Sequence, residues 1–132
     1  MALNILVVDD SSVMRTMIIK TLRMSKLPLG EVHEATNGQE ALTVLDGNWI
    51  DLALVDINMP VMDGEEMLNS LRQNPATADL PIIIVSTEGS ETRKERLAQK
   101  KAGFVHKPFT PETLRFAILR TIGGSNEQEA GG

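Results

Sequence analysis

Three short runs in this chain are apolar at every position: Ile5-Leu6-Val7-Val8, Leu52-Ala53-Leu54-Val55 and Ile82-Ile83-Ile84-Val85. A strand with one wet face alternates apolar and polar residues. A run with no polar member fits a strand covered on both faces, as in the parallel sheet of an α/β domain. Stretches with helical spacing follow these runs. Val13, Met14, Met17, Ile18 and Leu22 recur after the first, with Arg15 and Lys20 elsewhere on the wheel. Met67, Leu68 and Leu71 follow the second, and Leu114, Ala117, Ile118 and Ile122 come near the end. Two weaker strands complete the alternation: Val32-His33-Glu34-Ala35, polar enough for a sheet edge, and Phe104-Val105.

Local signals punctuate these elements. Ser11 and Ser12 are N-cap candidates. Pro28 and Gly30 end the first helix within 25–30, and Asn37-Gly38 reads as a turn. A short helix over 40–45 ends near Gly47. Asp63-Gly64 begins another helix and Asn74-Pro75 stops it. A charged helix spans 91–101. Thr110 caps the last helix, with Pro111 at its first position. Strand followed by helix, five times over, predicts an α/β doubly wound fold, a five-stranded parallel sheet with helices on both faces. One domain covers 1–122, and 123–132, rich in Gly, Ser, Asn, Gln and Glu, reads as a disordered tail.

Composition narrows the function classes. Without cysteine there is no disulfide and no thiolate chemistry. With no Tyr and one Trp, the core must be aliphatic and Met-based, and Trp49 reads as a loop-packing residue. No apolar run approaches the roughly 18–20 residues of a membrane span, and no basic segment precedes the first apolar run, so neither a membrane partner nor a signal peptide is expected. The expected location is cytoplasmic. A net charge of −5 argues against nucleic acid as a direct partner.

In parallel α/β sheets ligands bind outside the carboxyl ends of the strands. Those ends carry Asp9 and Asp10 after the first strand, Asp56 and then Asn58 after the third, Ser86 and Thr87 after the fourth, and Lys107 after the fifth. Each alone is an ordinary strand-end polar residue. Together they form a chemical inventory. Clustered carboxylates repel one another, and a hard cation such as Mg²⁺ relieves this. A carboxylate beside such a cation can act as a nucleophile toward a phosphoryl group. A lysine and a hydroxyl can then neutralise the transferred oxygens.

The motifs Val7-Val8-Asp9-Asp10-Ser11, Val55-Asp56-Ile57-Asn58-Met59-Pro60-Val61-Met62-Asp63-Gly64, Pro81-Ile82-Ile83-Ile84-Val85-Ser86 and Gly103-Phe104-Val105-His106-Lys107-Pro108-Phe109 stand in order along the chain. With them the chain resembles the receiver domains of two-component response regulators, most closely the stand-alone chemotaxis type. The resemblance, not the spacing, implies a flavodoxin-like strand order 2-1-3-4-5. It implies that Asp56 is the phospho-acceptor, forming a 4-aspartylphosphate. Asp10 and Asp56 would ligate Mg²⁺ directly with the backbone carbonyl of Asn58, and Asp9 would act through water. Ser86 and Lys107 would engage the phosphoryl group, with a cis Lys107–Pro108 bond. Phe104 would be an aromatic switch coupled to Ser86. Asn58 and Glu88 would tune phosphate loss. The chain would catalyse only its own phosphorylation and dephosphorylation, without being a conventional enzyme.

Two departures stand out. Lys100-Lys101 replaces the usual Gly-Ala after the charged helix, and the switch aromatic is Phe rather than the commoner Tyr. Arg93, Lys94, Arg96, Lys100 and Lys101 hold five of the thirteen basic residues. With Phe104 they form the expected partner face, Arg93, Arg96, Lys100 and Lys101 steering an acidic downstream protein. A histidine kinase is the expected phosphodonor, with a phosphatase as a further partner and a monomer or weak phosphorylation-dependent dimer as the assembly. No output domain is legible after 122, so output is expected through protein–protein binding, as in chemotaxis. A phosphorelay, adaptor or phosphate-sink role is the near alternative. A Mg²⁺-dependent phosphohydrolase needs a second carboxylate where Asn58 stands, and an FMN carrier needs stacking rings and a phosphate loop that the sequence does not offer.

Overall fold

The strands expected from the sequence form one parallel sheet in the computed structural model, which describes residues 2–57, 64–86, 95, 98, 99 and 102–123. Along the chain these are β1 (Leu3–Val8), α1 (Ser12–Met24), β2 (Leu29–Ala35), α2 (Gly38–Gly47), β3 (Leu52–Asp56), α3 (Gly64–Gln73), β4 (Ile82–Ser86), β5 (Ala102–His106) and α4 (Pro111–Ile122). The sheet order is β2-β1-β3-β4-β5, and every pairing is parallel. The polar second strand is at an edge, as its composition predicts. The expected helix over 91–101 lies mostly outside the described residues; Glu95, Ala98 and Gln99 are helical.

The all-apolar runs are explained by two cores, one on each face. Leu6, Val8, Ala53, Val55, Ile82 and Ile84 face α2 and α3, where Ala41, Met67, Leu68 and Leu71 meet them. Ile5, Val7, Leu52, Leu54, Ile83 and Val85 face α1 and α4, where Ile18, Leu22, Leu114 and Ile118 meet them. Successive strand residues point to opposite faces, so an unbroken apolar run is what a doubly covered strand needs.

Helix starts follow side-chain chemistry. The Ser11 hydroxyl accepts from the Met14 N–H, the Asn37 side chain from the Glu40 N–H, and the Thr110 hydroxyl from the Thr113 N–H. Asn37-Gly38, read as a turn, is thus the start of α2.

Three local expectations are corrected. Val13 and Met17 are 69% and 55% exposed, because the buried stripe of α1 runs through Ile18 and Leu22, and Met17 and Val13 lie about 120° and about 160° around the helix from its centre. Helix α1 ends with Ser25 as its cap, at the start of the expected 25–30 stretch, and Lys26 at φ 66° turns the chain before Pro28 and Gly30 are reached. Gly30 lies within β2, where an added Cβ would run into the Asn4 side chain that accepts from the Glu31 N–H at 2.8 Å. Trp49 is 77% exposed rather than packed; its indole N–H donates to Asp51 Oδ1 at 2.9 Å. His33 is half-buried against Glu31, and His106 is exposed.

Candidate functional site

Parallel pairing brings all the strand ends to one edge. Asp9 and Asp10 follow β1, Asp56 is the last residue of β3, Ser86 the last of β4, and Lys107 follows β5. Backbone bonds tie the edge together. The Asp9 N–H donates to the Ala35 carbonyl at 3.0 Å, the Ile57 N–H to Val85 at 3.3 Å, and the Lys107 N–H to Ser86 at 2.8 Å. The Lys107–Pro108 peptide is cis.

The carboxylates converge. One oxygen each from Asp9, Asp10 and Asp56 lies within 4.8 Å of the others. Asp9 is buried, Asp56 half-buried and Asp10 exposed, so the cluster opens to solvent on the Asp10 side. The Lys107 ammonium lies 3.7 Å from Asp9 Oδ2 and 3.7 Å from Asp56 Oδ1. It is near enough for attraction but beyond hydrogen-bond length. Asp9 Oδ1 accepts from the Ser11 N–H at 2.9 Å, while Oδ2, also buried, has no hydrogen-bond partner among the described residues.

That imbalance sets the electrostatics. Burial pushes the Asp9 carboxyl above the usual carboxylate range; the Ser11 N–H and Lys107 pull it down, and Asp10 pushes it up again. Among the described residues only Lys107 pairs with these carboxylates, and one lysine cannot compensate three of them. A buried oxygen without a donor, in an all-oxygen cluster open on one side, is what a hard divalent cation such as Mg²⁺ satisfies. The donor set fits that ion.

Ser86 is buried, and its strand register pairs it with His106, while Ile84 pairs with Phe104. Residues two apart on a strand share a face. Ser86 and Phe104 therefore lie diagonally across neighbouring strands on the face toward α2 and α3, where half-buried Phe104 packs on the core.

Of the expected residues, Asp9, Asp10, Asp56, Ser86 and Lys107 meet at one edge, with Phe104 two pairs below. Asn58, Thr87, Glu88, Met59, Met62, Arg93, Lys94, Arg96, Lys100 and Lys101 lie outside the described residues. In the sequence Arg15 is only a polar position on the first helix. Its Nη1 donates to the Asp9 carbonyl at 2.7 Å and its Nε to Glu34 Oε1 at 2.8 Å. A basic residue early in a helix after an acidic strand end is the only sequence signal it carries.

Known proteins are similar to this chain in sequence and fold. Residues 5–119 match the response regulator receiver domain. A "Chemotaxis protein CheY homolog" from Campylobacter jejuni is 39% identical, over 97% of this chain and 99% of the relative. "Chemotaxis protein CheY1" from Helicobacter pylori is also 39% identical, over 95% of this chain and 100% of the relative. The solved structure of the chemotaxis response regulator CheY4 of Vibrio cholerae superposes with a TM-score of 0.80 at 34% identity, over 92% of this chain and 99% of that one.

Proposed function

The chain belongs to the response regulator receiver domain family, and from that membership we propose that it is a phosphorylatable switch of the chemotaxis type. Its input is a phosphoryl group taken onto Asp56 from a histidine kinase. The observation that carries this reading is the convergence of Asp9, Asp10 and Asp56 within 4.8 Å, with the Lys107 ammonium 3.7 Å from two of them.

In the proposed reaction an Asp56 carboxylate oxygen attacks the phosphorus of a phosphohistidine. The new O–P bond forms as the P–N bond breaks, and the imidazole leaves with the electron pair. Asp10 and Asp56 would hold Mg²⁺, with Asp9 acting through water. When bound, that ion supplies charge neutralisation on the phosphoryl oxygens. Lys107 is positioned to follow the new charge, because its ammonium already lies beside Asp56 Oδ1. Ser86, at the end of the neighbouring strand, hydrogen-bonds a phosphoryl oxygen.

Movement of Ser86 toward the phosphate vacates space on the sheet face it shares with Phe104, and the ring follows. The two-state equilibrium then shifts by the differential affinity of the phosphorylated edge for the two arrangements. Output passes to a downstream protein, with Arg93, Arg96, Lys100 and Lys101 as the proposed electrostatic contact. CheY-named relatives at 39% identity support the chemotaxis assignment over a phosphorelay role.

The test is incubation of the protein with a small acyl phosphate and Mg²⁺, followed by intact-mass measurement. The expected result is a gain of one phosphoryl group that hydroxylamine removes and that chelation of Mg²⁺ prevents. Undiminished incorporation in Asp56→Asn would overturn the assignment.

A further inference from the structure

Arg15 is six positions beyond Asp9, within α1, and its guanidinium donates in two directions. One arm reaches the Asp9 backbone carbonyl at 2.7 Å and the other reaches Glu34 Oε1 at 2.8 Å. The Arg15 side chain is 13% exposed and Glu34, at the end of β2, is 48% exposed. An exposed ion pair contributes little stability by itself. The Asp9 carbonyl is different, because it belongs to the planar peptide that joins Asp9 to Asp10. The Asp9 N–H is held by the Ala35 carbonyl at 3.0 Å, and Asp9 Oδ1 accepts from the Ser11 N–H at 2.9 Å. Fixing the carbonyl as well sets the rotation of the Asp9–Asp10 peptide. That rotation decides where the Asp10 carboxylate leaves the chain.

We propose that Arg15 is a positioning residue of the cation site: its fork, anchored on Glu34, sets the Asp9–Asp10 peptide and so aims the Asp10 carboxylate at the oxygens of Asp9 and Asp56. The proposal rests on the reading of this cluster as a Mg²⁺ site. It separates from simple electrostatics by sign. Arg15 is a cation near a cation site, so in a purely Coulombic account removing it tightens Mg²⁺ binding. In the positioning account removing it weakens binding, because Asp10 is no longer aimed. Lysine keeps the charge but lacks the planar fork that serves two acceptors at once.

The experiment measures the Mg²⁺ dissociation constant of the full chain by titration calorimetry, for the parent, Arg15→Lys, Arg15→Met and Glu34→Gln. Loss of an outer-shell orienting group lowers metal affinity by about 10- to 100-fold; Arg15→Lys and Arg15→Met are expected in that range, and Glu34→Gln near its lower end. A merely structural role lowers the melting temperature of the metal-free protein and leaves the Mg²⁺ affinity of the folded fraction unchanged. Affinity within about twofold of the parent in Arg15→Lys, or tighter binding in Arg15→Met, overturns the proposal. Should Arg15→Met fail to fold, Arg15→Lys and Glu34→Gln decide it. Absence of Mg²⁺ binding in the parent removes the metal reading and the proposal together. Binding in the parent that Asp10→Asn abolishes and Arg15→Lys leaves intact removes the proposal alone.

Discussion

Burial raises the Asp9 carboxyl above the usual carboxylate range, and the sign of the consequence follows from linkage. Between the unfolded and the folded pKa the native state binds more protons than the unfolded chain. Stability therefore falls as pH rises through that window and stays reduced at neutral pH. In metal-free protein Asp9→Asn is expected to raise stability at pH 7 by about 1 kcal/mol, since the buried ionised group is removed and its shape kept. The advantage over the parent should grow as pH rises from the acid side and then level off. Urea unfolding across pH measures it; an advantage that shrinks with rising pH would contradict the assignment. Lys107 acts with the opposite sign. Its ammonium faces both Asp9 and Asp56 at 3.7 Å, so Lys107→Met in metal-free protein is expected to cost about 1–3 kcal/mol in the same assay.

At the scale of elements, β5 and α4 approach closely because Gly103 carries no side chain. A Cβ there would lie 2.5 Å from Thr121 Oγ1 and 3.2 Å from Ile83 Cγ1. Gly103→Ala is expected to destabilise by about 1–3 kcal/mol. Thr121→Ala in the same chain should recover part of that loss, giving a non-additive cycle by thermal unfolding; full additivity would place the clash elsewhere. The elements themselves were legible to different degrees. The runs ending at Val8, Val55 and Val85 marked the central strands because burial on both faces excludes polar residues. The strand order was legible only through resemblance, since order depends on contacts far apart in sequence. Leu29, Gly30 and Glu31 were hidden as strand because pairing across Asn4, not local propensity, holds them there. Met17 looked like core because hydrophobicity alone does not separate a buried stripe from an exposed thioether beside it. The carboxylates and Lys107 could be read from their places at strand ends. Arg15 could not, because its role depends on a carbonyl whose direction no sequence pattern records.

At the scale of the molecule, the sheet separates chemistry from support. Trp49 and Asp51 precede β3 and Asp56 ends it, so the anchored indole and the acidic site lie at opposite ends of one strand. Three carboxylates held together at one end make the metal-free fold less stable than its two cores would allow. Cation binding should offset this: Mg²⁺ at about 100 times its dissociation constant is expected to add about 2.7 kcal/mol to unfolding stability. Asp10→Asn should lose most of that increment; an equal increment in the variant would indicate that the ion binds elsewhere. Whether Asp56 is the residue at this edge that takes the phosphoryl group is read out by reductive trapping. The protein is treated with a small acyl phosphate and Mg²⁺, reduced with borohydride, digested, and mapped by peptide mass spectrometry. The reduced alcohol is expected at position 56 and at no other carboxylate; the alcohol at position 9 or 10, or a phosphoryl group retained on another side chain, would rule out Asp56 as the acceptor.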